Sequence, residues 1–393
     1  MPPEQVGTDR PGYLGTKSIE GLRADTPGAG RVAHFANCGS ALPPAVVVNA
    51  QIDHLRLERE IGGYEAAARN QTKRTLHSGA ARLLGCGADE IAFAESASRA
   101  WCMFVDSLAL RPGDEILTSR IEFGANLVAL HRLAARTGAA VRVVRCRPDG
   151  TIDVDALAES LTGRTKLVAI THAAAHFGGV NPVERIGTVV AATDALFLVD
   201  ACQSLGQLPV DVGAMSCHAL TATGRKWLRG PRGTGFLYVR NGIGARIDRA
   251  GARRFELWER NVAAEIGLAV ALDYLREIGV DAAHRRITGL AAHIVERLRP
   301  IARTSLLRTD DVRSGVIGLS LPGGARAVAA VKDHLHKRGV NVSAMAYADA
   351  PLDCAARKID SVLRIAPHYY NTEDEVDELC AHLADGLRTI QAS

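Results

Sequence analysis

The 393-residue sequence has no run of about 18 uncharged apolar residues, which excludes a transmembrane helix. It has no C-x-x-C pair. Its eight cysteines, at 38, 86, 102, 146, 202, 217, 354 and 380, are dispersed, which argues against structural zinc, and no metal ligand set is expected. It has no strong excess of one charge: the formal net charge is +4, and basic residues alternate with acids, as in Arg56-Leu57-Glu58-Arg59-Glu60. Such faces are solvated helix surfaces, not a stripe that binds nucleic acid. Met1 to Arg10 carry no apolar core segment, so no signal peptide is expected. Reduced thiols and a cytoplasmic setting follow as expectations. Internal repeats and low-complexity tracts are absent, and only the first ~25–30 residues read as irregular.

What is present is an ordinary globular balance, 47% hydrophobic and 23% charged, in a chain long enough for more than one domain. Apolar runs at 90–94, 114–118, 141–144, 166–171, 195–200 and 235–239 predict strands. Helical patterns at 99–110, 126–137 and 154–161 separate them. Continuous buried-type runs alternating with helices predict a mostly parallel sheet. After residue 262 the pattern changes to long helices (262–279 and 287–298), then strands at 315–321, 340–343 and 363–366 among helices at 327–338 and 372–389. The last helix opens on Thr372 with Glu375 three residues on, a capping box. The expected architecture is α/β: an N-terminal extension (1–28), a large domain (29–262), and a smaller C-terminal α+β domain (263–393). The N-terminal segment is expected to contribute to the small domain or to the substrate side of the site.

The informative segment runs from Thr223 to Gly235, with Lys226 in a loop rich in glycine and proline. A lone lysine there is ordinarily a surface residue. Asp200, however, ends a buried apolar strand 26 residues earlier, where ligands of such sheets gather. An acid in that place either caps a helix or partners a buried cation.

The run from Asp200 to Gly235 resembles the class V aminotransferases, the cysteine-desulfurase branch of fold-type-I enzymes that use pyridoxal 5′-phosphate. Their pattern is D-x-x-Q followed by S/T-x-H-K-x-x-G-P-x-G-x-G, and here Arg225 stands where many members have histidine. The resemblance implies a large domain with a mostly parallel seven-stranded sheet, the cofactor attached to Lys226, Asp200 against its ring nitrogen, Gln203 near its phenolic oxygen, and Thr223 and Arg225 at its phosphate. Further segments match in order. Glu95 to Trp101 is similar to the family's phosphate cup, which implies Ala97 and Ser98 there. Glu122-Phe123-Gly124-Ala125-Asn126 matches E-H-H-S-N, which implies that Phe123 stacks on the ring. Thr171 to Pro182 matches a third motif, with Ala175 in place of its asparagine; His176 is a possible replacement. Leu363 to Glu373 resembles R-x-S-x-x-x-Y-N-T-x-E-E, making Arg364 the clamp for a substrate carboxylate. Asn37 to Pro43 resembles the segment lining the substrate side, which implies Asn37 and Ser40. Gly62 to Glu65 also recurs in members.

Desulfurases need a thiol on the loop before the carboxylate arginine, and Ala348 aligns with that position while Cys354 lies beyond it. A narrower resemblance, carried by Asn37–Pro43, Gly62–Ala66, Ser98–Trp101 and Arg253–Glu256, is to the C–S lyases of ergothioneine biosynthesis and the enzymes that process cysteine S-conjugates in lincosamide antibiotic pathways. It implies β-elimination of a cysteine S-conjugate to thiol, pyruvate and ammonia, in secondary or thiol metabolism. Decarboxylative oxidative deamination to an aldehyde, desulfuration and transamination stay open. The family also implies a homodimer with the site at the subunit interface and a small amino-acid substrate, with neither membrane nor nucleic acid as partner. Phe255-Glu256 is followed by Leu257 rather than the family's G-T pair, and Arg260 is a possible substitute.

Overall fold

The computed structural model describes residues 13–70, 75–247, 251–301, 305–307 and 312–392. Of the N-terminal extension expected over 1–28, residues 1–12 lie outside the described residues. The strands of the large sheet are β1 (Ile91–Ala94), β2 (Glu115–Thr118), β3 (Ala140–Val143), β4 (Thr165–Thr171), β5 (Leu196–Asp200), β6 (Ala219–Thr223) and β7 (Gly235–Val239). Their order is β1-β7-β6-β5-β4-β2-β3. Neighbours from β3 through β6 are parallel, and β7 runs antiparallel to both β6 and β1. This is the expected mostly parallel seven-stranded sheet. Its central strands are apolar on both faces because helices cover both faces; every residue of β5, β6 and β7 is buried. β6 was not foreseen, since Ala-Leu-Thr-Ala-Thr is short and half polar. The sheet interior, not propensity, makes it a strand.

The helices that bear on the site are α1 (Ala45–Ile61), α2 (Ala97–Asp106), α3 (Gly124–Thr137), α4 (Val262–Ile278), α5 (Val280–Leu298), α6 (Pro351–Arg357) and α7 (Glu373–Ala392). α7 has its capping box: Glu375 N–H donates to Thr372 Oγ1 and Thr372 N–H to Glu375 Oε2, both at 3.2 Å. Among the described residues no helix is long and apolar enough to cross a membrane.

A second sheet, β8 (Ile317–Ser320), β9 (Ser343–Ala346) and β10 (Ser361–Ile365), is antiparallel, with β10 central and the short strand Ser305–Leu306 outside β8. It has its own core, with Phe35 from the N-terminal segment, Ile294 and Leu298 from α5, and Leu379 and Leu383 from α7. Ala33–His34 also pairs in parallel with Val340–Asn341. The two cores meet along α5. Leu268, Leu272 and Leu275 of α4 pack in the first core, as do Ala283 and Ile287 at the start of α5, whereas Leu290 onward packs in the second. One long helix therefore joins two cores. A helical period cannot reveal which core it faces.

Phe197, wholly buried in β5, joins the core on one face of the sheet. Phe197→Ala should lower unfolding free energy by about 3–5 kcal/mol, read from denaturant unfolding.

Candidate active site

The carboxyl ends of the parallel strands bring the chemistry together. Register places Thr171 of β4 beside Asp200 of β5, and Asp200 beside Thr221 of β6. The N-termini of α2 and α3 point to the same edge, as the fold class requires. A cavity there is lined by Ala97, Ser98, Phe123, Asp200, Gln203, Thr223, Arg225 and Lys226, and also by Asn126, Thr171, Ala175 and Cys202.

Lys226 opens onto this cavity and, among the described residues, makes no hydrogen bond or ion pair with its amine. Burial lowers its pKa; the charges of Arg225 and Arg364 add to this, against the pull of Cys202 and Asp200. A neutral amine is the nucleophilic and basic form.

Asp200 is 5% exposed, so its carboxylate depends on fixed donors. Oδ1 accepts from Cys202 N–H at 2.8 Å and Oδ2 from Asn126 Nδ2 at 2.7 Å. The second N–H of Asn126 goes to Glu122 Oε1 at 2.9 Å. Glu122 is itself fully buried, and it accepts from Thr171 Oγ1 (2.7 Å), Thr171 N–H (3.1 Å), Phe123 N–H (3.1 Å) and Thr118 Oγ1 (3.3 Å). Burial, then the charge of Asp200, push its carboxyl up to about 7 against these bonds. Glu122 and Asn126 were not singled out individually. The signal was there: an acid before a helix with an amide four residues on, two groups on one face.

At the other end, Ser96 caps α2 by accepting from Arg99 N–H at 3.1 Å, which leaves the amides of Ala97 and Ser98 facing the cavity, a site suited to an anion. The helix end can approach because residue 235 is glycine. A Cβ there would lie 2.5 Å from Ala222 O and 3.0 Å from Ala97 N. Thr223 Oγ1 reaches Thr234 O at 3.5 Å. Arg225 lines the cavity while its guanidinium donates to Gly39 O.

Gln203 lines the cavity too, with its amide held between Cys38 O and Trp227 Nε1, each at 2.9 Å. Arg364 adjoins the cavity: Nη1 donates to Ala175 O at 3.0 Å, and Nε is buried without a partner. An orphaned guanidinium edge suits a carboxylate ligand. Neither Asn37 nor Ser40 lines this cavity. Asn37 is fully buried; Nδ2 donates to His34 O and Ala366 O, and Oδ1 accepts from Tyr370 Oη at 2.5 Å. These bonds staple its segment to the second domain and leave nothing for a ligand. Ser40 forms a turn, its N–H on Ala36 O and its carbonyl on His34 Nε2. Arg260 pairs with Glu265 at 2.7 Å in a separate cleft of about 550 Å³.

The Lys226 loop is moored by Arg229, which is 1% exposed and has a left-handed φ of 58°. It donates to Leu42 O (2.8 Å), Tyr369 Oη (3.0 Å) and Thr26 Oγ1 (2.5 Å), and its guanidinium lies 4.5 Å from the Tyr370 ring centroid. Phenol faces and oxygens solvate this charge in place of water.

The donor set fits pyridoxal 5′-phosphate: an unpartnered amine for its aldehyde, a carboxylate for its ring nitrogen, and helix amides with a hydroxyl for its phosphate. Glu122 gives a pH test. Its carboxyl is raised above the ordinary 4.5, so its contribution to stability is full below that value and is lost as pH rises through about 7. Relative to Glu122→Gln, the wild-type melting temperature should fall between about pH 5 and about pH 8, measured by thermal scans at each pH.

The chain matches the aminotransferase class-V family over residues 34–379. A probable cysteine desulfurase of Xylella fastidiosa is 31% identical over 400 residues, covering 93% of this chain and 94% of that protein. A solved cysteine desulfurase from Escherichia coli has the same fold, with a TM-score of 0.86 at 22% identity over 95% of this chain and 99% of its own. A cystine C–S lyase solved with its product cysteine persulfide gives 0.82 at 22% identity, over 92% and 99%. The chain belongs to the class V aminotransferase family and is a cysteine-desulfurase-like enzyme that depends on pyridoxal 5′-phosphate.

Proposed function

We propose that this enzyme is a C–S β-lyase that converts a cysteine S-conjugate and water to a thiol, pyruvate and ammonia. The supporting observation is the state of the thiols near the site. The segment that follows β9 presents Ala348 at its exposed crown. Cys354 beyond it is 1% exposed, and burial pushes its thiol up to about 11. Cys202 does line the cavity, but burial and then the charge of Asp200 raise its pKa well above the ordinary value. A sulfur acceptor must be a thiolate, so the substrate's sulfur leaves as a thiol instead of passing to the protein.

Bound pyridoxal 5′-phosphate supplies an electron sink for charge developing at the substrate's α carbon. Lys226 would hold the cofactor, and as a neutral amine it would be the base for the α proton. Asp200 would partner the ring nitrogen, Gln203 the ring's oxygen, and Phe123 would pack on the ring. Ala97, Ser98 and Thr223 would hold the phosphate, with Arg225 adding positive charge. Arg364 would take the substrate carboxylate.

We also infer a homodimer. Leu55 (53% exposed), Tyr64 (72%) and Trp258 (78%) line one exposed apolar cleft beside α1, with the Tyr64 and Trp258 rings 5.8 Å apart. Such a patch is characteristic of an interface.

Incubation with S-benzyl-L-cysteine should release benzyl thiol and pyruvate in equal amounts, and Lys226→Ala should reduce the rate by about a thousandfold or more. An aldehyde with carbon dioxide would select decarboxylation instead. Sulfide from free cysteine, lost in Cys202→Ala or Cys354→Ala, would select desulfuration. Trp258→Glu should shift the mass in light scattering from dimer to monomer.

A further inference from the structure

Asp353 in α6 is 0% exposed, and a carboxylate so far from water requires partners. Oδ1 accepts from Arg120 Nε at 2.8 Å. Oδ2 accepts from Arg357 Nε at 2.6 Å and from His176 Nε2 at 2.7 Å. Burial works against its charge, and the bonds from His176 and Arg357 prevail, holding the carboxyl at about 2. Arg120 and His176 lie in loops after β2 and β4 of the large domain, whereas Asp353 and Arg357 lie between β9 and β10 of the small one. The cluster therefore fastens one domain to the other.

More contacts bind the same segment. Arg357 Nη2 donates to Asp149 O at 3.0 Å, and its guanidinium sits 4.7 Å from the Phe177 ring centroid. A Cβ on Gly124 would lie 1.9 Å from Ala348 O, so the crown of the segment rests on the N-terminus of α3 beside Phe123. Met345, Ala350 and Cys354 pack with Ala175 and Phe123, both of which line the cavity. Residues 347–357 form a strap packed against these two lining residues.

His176 carries the strap's hold to Arg364. Its Nδ1 is buried without a partner, so Asp353 is the only hydrogen-bond partner of the ring among the described residues. Its main chain is clasped from the other side: a Cβ on Gly318 would lie 2.0 Å from His176 O, and Gly318 is the register partner of Arg364. The preceding residue, Ala175, gives its carbonyl to Arg364 Nη1. The order of contacts is Asp353, His176, the Ala175 carbonyl, Arg364.

We propose that Asp353 and His176 are positioning residues that aim Arg364 at the substrate carboxylate before substrate arrives, which rests on the reading of Arg364 as the carboxylate site. Arg364 spends one nitrogen on Ala175 O, which leaves the Nε edge presented in a fixed orientation. A fixed fork binds a carboxylate better than a mobile one because less freedom is lost on binding.

The test uses the holoenzyme and 3-(benzylthio)propanoate, which has the carboxylate but no amine and so cannot react. Its affinity is compared with that of 3-(benzylthio)propanamide by calorimetry. Wild type should prefer the acid by about tenfold or more. His176→Phe, which removes the donor to Asp353, should reduce the preference below about threefold. It should also speed amide hydrogen exchange in residues 347–357 without speeding it across the large sheet. His176→Gln, which keeps a donor, should restore both. An unchanged preference in His176→Phe, or a loss in both variants alike, would overturn the relay. Arg364→Met separates the two readings: if the acid is still preferred there, or if wild type shows no preference, it is the assignment of the carboxylate to Arg364 that fails.

Discussion

The site depends on one amide. Asn126 places its two N–H groups on two buried carboxylates, Glu122 and Asp200, which would otherwise repel across a medium with little screening. Asn126 holds them apart and fixes the orientation of Asp200. Strand register supplies the rest of the frame, since Thr171 bonds Glu122 through both its hydroxyl and its N–H. The ends of β4 and β5 and the start of α3 are thus one hydrogen-bonded unit. Asp200 is part of the sheet's own edge, not a side chain reaching in from a loop.

Much of this was legible in the residues, and the reasons for success and failure are physical. Buried parallel strands are apolar throughout, so β4 and β5 stood out. Thr372 and Glu375 announced the start of α7 because a capping box is local chemistry. β6 escaped because its residues are ordinary and only its neighbours make it a strand. The loop around Lys226 was readable because it and the segments on either side resemble the family's motifs in order. The motif around Asn37 does not reveal that three hydrogen bonds turn its side chain inward. Cys202 was passed over because a cysteine two residues after an acid has no pattern of its own; only the cavity makes it notable. The Asp353 cluster joins residues from three distant stretches of chain, and no local pattern encodes such a meeting.

The strap and the thiols belong together. Relatives similar to this chain include cysteine desulfurases. In this chain the segment before Arg364 is tied down by a buried ion cluster and by the contact of Ala348 with Gly124. A segment so fixed would suit the proposed lyase, whose sulfur product departs by diffusion, and here it packs against residues that line the cavity.

Arg229 has a consequence for how the loop of Lys226 holds its shape. Its partners Thr26 and Tyr369 lie 203 and 140 residues away in the chain, and Lys226 sits three residues before it in the same loop. The charge has its full set of partners only when these distant segments have met, so the loop is set by the tertiary fold and not by the large sheet alone. Any change that loosens the Thr26 or Tyr369 segment reaches the lysine through a single buried guanidinium.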